Sequence, residues 1–421
     1  MSSGASSRIP IPKSENVSGF QISLVIIGVS ITLPLMYSAG ELVQGMGLSK
    51  AIIAVIAGSL ILSLMAVPAA IVGVRTRLSS YMIVEHTFGS VGAKAINFAL
   101  GLFLLGWYAV TAELFGRTLF LAAGELGLAG VPEPAYTIMS SLLVIITTVY
   151  GFKAIKKLAL IAVPFLLLAL SVVVVLSLRE VTFKDLLVIE RAGIDLPTAI
   201  SAVVGVAIVG VVLMPDLTRY GRSVGDCLTA SFFGMGVGTV IAYLLGMIPV
   251  LVWSELEPMT YMFMMGFGGT ALVVLVFATW TTNIINLYAT ALAARASVPF
   301  GNYRSVVVVG GVVGTLAALV GIANSLIEFL ITLGLLVPPI AGVYLCSFFI
   351  LGRTDFSADN LQSRPAFKVN ALIAGVGTGV ISSWMYFNDL SITTIGALDS
   401  LFMSIVFYLI LEKSKSLLGK A

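Results

Sequence analysis

Charge is scarce in this chain of 421 residues: Asp, Glu, Lys and Arg together make up 10% of it, where an ordinary soluble domain carries about 25%. A surface so poor in charge excludes an ordinary soluble fold. Histidine occurs once, at His86, and cysteine twice, at Cys227 and Cys346. A single histidine argues against haem ligation, a histidine-rich metal centre or a histidine-relay protease. His86, beside Glu85 in an inner loop, is expected on the surface. Two distant cysteines in apolar surroundings support neither a disulfide framework nor a zinc site, and are expected to be packing residues. No nucleophile-plus-base set or cofactor-binding loop is found, so the chain reads as no enzyme and as needing no cofactor beyond a coupling ion. The net charge of +3 implies no nucleic-acid partner, because in an apolar chain the positions of Lys and Arg matter more than their sum. Residues 1–19 are polar and lack the basic-then-apolar layout of a signal peptide. They read as a flexible cytoplasmic tail.

What is abundant is apolar: 59% of the chain is hydrophobic and the mean hydropathy is +1.09. Runs of roughly 20 apolar residues recur, each long enough to cross a hydrocarbon core of about 30 Å. Twelve spans are expected, at 20–45, 49–74, 93–124, 135–151, 158–178, 197–218, 226–253, 262–296, 304–322, 324–350, 366–386 and 392–411. With the N-terminus in the cytoplasm, 18 of the 23 Lys and Arg residues fall on the inner side, among them Arg8, Lys13, Lys153, Lys156, Lys157 and Lys420. Only Lys50, Arg117, Arg179, Lys184 and Arg191 fall outside or in the outer half of a span. The positive-inside rule therefore places both termini in the cytoplasm of a multi-pass protein of the cell membrane.

Two spans carry helix breakers. The first reads GVSITLPLMYSAGEL, with Pro34 and Gly40 near mid-membrane, and the sixth reads GVAIVGVVLMPDLTRYGR, with Gly205, Gly210 and Pro215. Backbone freed at such positions is tolerated in a membrane only where it faces protein or a cavity. Interruptions five spans apart point to an inverted repeat with a binding site between its halves.

The polar run TWTTNIINLYAT, residues 279–290, lies inside the eighth span. Such groups either line a cavity or ion path, or glue helices together. Ala278, Thr281 and Thr282 stand at i, i+3 and i+4, on one helix face. A carbonyl and two hydroxyls there make half of a sodium site, which carbonyls around Gly28 and Ile31 of the broken first span can complete. On the third span Leu104, Trp107, Thr111 and Leu114 form a stripe. Trp107 lies roughly 20 Å along the helix from Lys94 at 1.5 Å per residue, too deep for an interfacial belt. An indole with a hydroxyl one turn away suits a flat ring.

Two intramembrane carboxylates, Glu41 and Glu113, invite a functional reading. Glu113 precedes Arg117 by four residues and is expected to pair with it, with a gate or proton site as the alternative. Glu41 follows Gly40 at the start of the outer half of span one, where it either caps a helix or meets an amine. Asp216, Arg219 and Arg222 are expected to anchor the inner end of span six or gate it.

At these residues the sequence resembles the nucleobase:cation symporter family, and most of all its cytosine permease-like branch. The matching stretches are GWYAV in span three, PDLTRYGR in span six, WTTN followed by LYA in span eight and VPPIAGV at 337–343. The resemblance implies an all-α membrane protein of LeuT-type fold, with a 5+5 inverted repeat, broken helices one and six and two peripheral helices. In this chain that means a core over 20–350, with repeats 20–178 and 197–350, then 351–421 as the peripheral helices and a cytoplasmic C-terminus. It implies a sodium site from the carbonyls of Gly28, Ile31 and Ala278 and the hydroxyls of Thr281 and Thr282. It also implies a pocket with Trp107 as the stacking plane, Asn283 and Asn286 as hydrogen-bonding amides, and Thr32 with Val206, Ala207 and Gly210 as wall. The chain departs from cytosine permeases at Leu104, where they have a glutamine, and at Val206, Ala207 and Val209, where they have an aromatic and serines.

The function expected is secondary active import of a purine, pyrimidine or related small heterocycle by sodium symport through alternating access, with the proton as alternative coupling ion. The protein is expected to work as a monomer in the bilayer. The rival is a same-fold carrier for an amine or amino acid. A channel is a remote alternative, since filter-like repeats and rings of charge are absent.

Overall fold

The structure, a computed structural model, describes residues 13–127, 130–150, 152–189, 191–297, 302–353, 356 and 364–418. Most of the expected tail, with Arg8, and Lys420 lie outside the described residues, as do the side chains of Lys13, Lys153, Lys156 and Lys157. Among the described residues the only strand-like pairing is an isolated bridge between Val17 and Gly221. Everything else of length is helix: α1 (Gly19–Ser30), α2 (Leu33–Met46), α3 (Leu48–Thr76), α4 (Ser80–Phe88), α5 (Gly92–Glu125), α6 (Glu133–Val149), α7 (Phe152–Glu180), α8 (Phe183–Leu187), α9 (Leu196–Val212), α10 (Met214–Thr218), α11 (Val224–Trp253), α12 (Pro258–Met264), α13 (Gly268–Ser297), α14 (Tyr303–Leu319), α15 (Ile322–Ile350), α16 (Val369–Phe387) and α17 (Gly396–Leu418).

These helices follow the apolar runs. Helix α4 lies between spans two and three, α8 between five and six, and α12 between seven and eight. Span eight, expected from residue 262, starts instead at Gly268, because Gly266 (φ 83°) and Gly268 (φ 48°) take left-handed backbone that turns the chain away from α12. The last span runs on to Leu418, past the apolar run.

Span one is broken. Helices α1 and α2 meet at 70° across Ile31 and Thr32. Thr32 is extended (φ −135°, ψ 157°) and its hydroxyl accepts from the Leu35 N–H at 3.4 Å, capping α2. Pro34 sits in the first turn of α2, where its missing N–H costs nothing. The break thus precedes the proline, and Gly40 lies inside a continuous helix. Span six repeats the arrangement in milder form: α9 runs unbroken through Gly205 and Gly210 and is interrupted only at Leu213, two residues before Pro215. Gly205 serves packing, since a Cβ there would meet the Leu330 carbonyl oxygen at 1.9 Å.

Helix α5 packs along α13, α3 along α9, and the first part of α15 against α9, while α16 and α17 pack on each other and on α15. Two large apolar cores result, and Trp107 and Phe329 flank both of them. Among the described residues the fold is all-α, with several helices long and apolar enough to cross a membrane.

Candidate substrate and cation site

The carbonyl of Ala278 accepts from the Thr281 hydroxyl at 2.8 Å and from the Thr282 hydroxyl at 3.0 Å. Thr281 also reaches the Phe277 carbonyl at 2.9 Å. Three oxygens therefore gather on one turn of α13, as their spacing requires. Ala278 and Thr281 are buried, and Thr282 is half-buried. At the break in span one the Ile31 N–H donates to Ile27, and among the described residues no backbone donor reaches the carbonyls of Gly28 or Ile31. Helix α2, which follows the two carbonyls, packs against α13, which carries the other three oxygens. All five are neutral and hard, a set suited to a monovalent cation; a dication of this kind calls for carboxylates.

On α5, Thr111 is fully buried. Its hydroxyl donates to the Trp107 carbonyl at 2.7 Å, and the Asn286 amide donates to it at 3.4 Å. Trp107 is half-buried and stands edge-on to Phe329, with centroids 5.4 Å apart and planes at 80°. Phe329 fits there because residue 106 is glycine: a Cβ would come within 2.7 Å of its ring. Val206 and Ala207 of α9 are half-buried beside the cores that Trp107 and Phe329 flank, Val209 is buried and Gly210 is exposed. Thr32, half-buried, spends its hydroxyl on the α2 cap. Asn283 is fully buried with neither amide atom bonded among the described residues. It does not join the Thr111–Asn286 link.

All of these residues fall within a match over residues 10–404 to the family described as permease for cytosine/purines, uracil, thiamine, allantoin. The chain belongs to this permease family. It is similar to the cytosine permease of Escherichia coli (strain K12), 25% identical over 374 residues that cover 88% of this chain and 87% of the relative. It is also similar to the hydantoin permease of Microbacterium maritypicum, 24% identical over 376 residues that cover 82% and 76%. Among solved structures, the inward-facing conformation of Mhp1 matches with a TM-score of 0.84 at 20% identity, covering 97% of this chain and 94% of that one. A closed conformation of Mhp1 with bromovinylhydantoin bound matches at 0.80, again at 20% identity, covering 97% and 95%.

Beyond Trp107 toward the C-terminal end of α5, the permease carries a charged hub. Glu113 pairs with Arg117 at 3.4 Å as expected, and its other oxygen accepts from the Ala323 N–H at 2.7 Å. Glu133 and Glu257 also pair with Arg117, at 3.3 and 3.1 Å. In the loop before α12, burial pushes the Glu257 carboxyl up, against the pull of Arg117. Glu41 takes no part in this hub. It lies two turns inside α2, so the capping reading does not apply, and it lines a vestibule of about 940 Å³ with Lys50, Arg191, Asp195 and Glu328.

At the C-terminal end of span six, Asp216 accepts from the Ser80 N–H at 2.9 Å, while Arg222 pairs with Asp226 at 3.0 Å. Both cysteines are buried. His86 is buried too, contrary to expectation, with its ring 4.9 Å from that of Phe356. The sequence reading missed Phe329, which sits in a featureless apolar run, and missed Glu133, Glu257 and Asn324 as partners of Arg117. An arginine in the outer half of a span with one local carboxylate was the available signal.

Proposed function

We infer that this permease imports a purine, pyrimidine or related small heterocycle together with sodium, by alternating access. The observation that carries the reading is the order of groups along α13: the oxygens of Ala278, Thr281 and Thr282 occupy one turn, and Asn286, linked to Thr111 below Trp107, occupies the next. An ion that orders the first turn orders the second, so each ligand raises the affinity of the other. Gly28 and Ile31 supply the remaining carbonyls from span one. The ring stacks on Trp107, with Thr111 and Asn286 at its polar edge, Thr32, Val206, Ala207 and Gly210 as wall, and Asn283 as a further amide.

Leu104, Val206, Ala207 and Val209 leave this wall with few polar groups. A site with few groups to match selects weakly for an amino-pyrimidine edge, so the preferred cargo is a larger or less polar heterocycle than cytosine. The amine-carrier reading loses its support, because Glu41 faces the outer vestibule and stands apart from Trp107. The protein works as a monomer in the cell membrane, with both termini cytoplasmic, residues 20–350 as transport core and 351–421 as the peripheral part.

Uptake by proteoliposomes offered a panel of uracil, hypoxanthine, cytosine, allantoin and hydantoin, with sodium or potassium outside, tests the reading. Saturable, sodium-dependent uptake of a panel member is expected. Equal uptake in potassium would remove sodium, and Glu41 and Glu113 would become the proton-coupling candidates.

A further inference from the structure

Five donor–acceptor contacts converge on one guanidinium in the outer half of the molecule. Arg117 donates through Nε to Glu133 at 3.3 Å, through Nη1 to the Tyr37 hydroxyl at 3.3 Å and Glu257 at 3.1 Å, and through Nη2 to Glu113 at 3.4 Å and Asn324 at 3.3 Å. These acceptors come from span one (Tyr37), span three (Glu113), the start of span four (Glu133), the loop before span eight (Glu257) and the first turn of span ten (Asn324). A planar fork with five N–H groups can serve so many directions; an ammonium cannot.

Two features mark the hub as something that opens. None of its five bonds is shorter than 3.1 Å, whereas tight charge-assisted bonds lie at about 2.7–2.9 Å. The hub also borders open space, since Asn324 both accepts from Arg117 and lines the outer vestibule. Inward of it, Val110 lies fully buried two turns from Arg117 on the same helix face and one turn from Trp107. Along α5 the hub therefore lies on the vestibule side of Val110 and Trp107.

We propose that Arg117 is the latch of the outer gate, a positioning residue that holds spans one, three, four and ten together only while the outer face is closed. Without the guanidinium, three carboxylates face one another and repel, so the closed outer face loses its tie and gains a charge conflict. The proposal rests on the alternating-access reading, but its test needs no substrate and no sodium. Failure of the cargo assignment leaves it standing.

The test measures maleimide labelling of a cysteine introduced at Val110, in purified full-length protein that keeps Cys227 and Cys346 as buried internal references. Arg117→Gln is expected to speed labelling of the introduced cysteine by about tenfold, the population shift that losing roughly one strong charged hydrogen bond produces. Labelling of Cys227 and Cys346 stays slow. Tyr37→Phe, which removes one contact, is expected to give about threefold. Should Arg117→Gln fail to fold, Arg117→Lys, whose ammonium cannot serve all five acceptors, carries the expectation of faster labelling at position 110. Unchanged labelling at position 110 overturns the latch. So does equal acceleration at all three cysteines, because that is general loosening of the fold.

Discussion

The Asn286 amide donates to the Thr111 hydroxyl at 3.4 Å, joining span eight to span three one turn from Trp107. So long a hydrogen bond, between helices that pack along each other in any case, can be exchanged for a ligand without a large penalty. Asn286→Ala and Thr111→Val are each expected to raise the half-saturation concentration for the heterocycle by about threefold to tenfold, the worth of one hydrogen bond. Sodium affinity in the absence of substrate stays unchanged. Titration of either ligand alone separates the two effects.

Thr282 donates to the Ala278 carbonyl at 3.0 Å, and its lone pairs remain for a cation. Thr282→Ala, and likewise Thr281→Ala, is expected to weaken apparent sodium affinity by about tenfold or more, as ~1.5 kcal/mol of interaction with a charged group converts. The sodium dependence of the melting temperature reads this directly. Thr279→Ala, whose hydroxyl only returns to the Leu275 carbonyl at 2.7 Å, serves as the control and leaves sodium affinity intact.

Trp107 is half-buried in a T-shaped pair with Phe329, and the proposed function assigns its indole the stacking contact with the substrate ring. Trp107→Phe is expected to weaken binding about threefold to tenfold, because stacking is worth about 0.5–1.5 kcal/mol beyond buried area. Trp107→Ala weakens it further. Quenching of tryptophan fluorescence on adding ligand, absent in Trp107→Phe, is the companion measurement.

Gly205 and Gly124 differ in their surroundings. A Cβ at 205 would meet the Leu330 carbonyl oxygen at 1.9 Å, while nothing lies within 4 Å at 124. Gly205→Ala is expected to destabilise the fold by ~1–3 kcal/mol through overpacking of α9 on α15. Gly124→Ala is neutral or slightly stabilising. Detergent melting curves of the two variants check the contrast.

What the sequence disclosed was local. Ala278, Thr281 and Thr282 lie on one helical turn, so their spacing alone brought their oxygens together, and the Glu113–Arg117 pair was legible for the same reason. The breaks were legible as existing but displaced, because a proline marks the first turn after an interruption: Pro34 follows Ile31 and Thr32, and Pro215 follows Leu213. Contacts between distant elements left no trace. Glu257 and Asn324 reach Arg117 across 140 and 207 residues, and Phe329 sits among apolar neighbours that no period distinguishes. His86 looked exposed because it stands beside Glu85 in the segment between spans two and three, yet that segment forms α4, which is buried.

The measurement that tests the account most directly is heterocycle binding by the purified permease with sodium and then with potassium at equal ionic strength, read as a thermal shift across the panel. The account predicts that at least one purine, pyrimidine or hydantoin raises the melting temperature in sodium, that the shift shrinks in potassium, and that Thr282→Ala abolishes the difference. Stabilisation that is the same in both salts and in Thr282→Ala would contradict it.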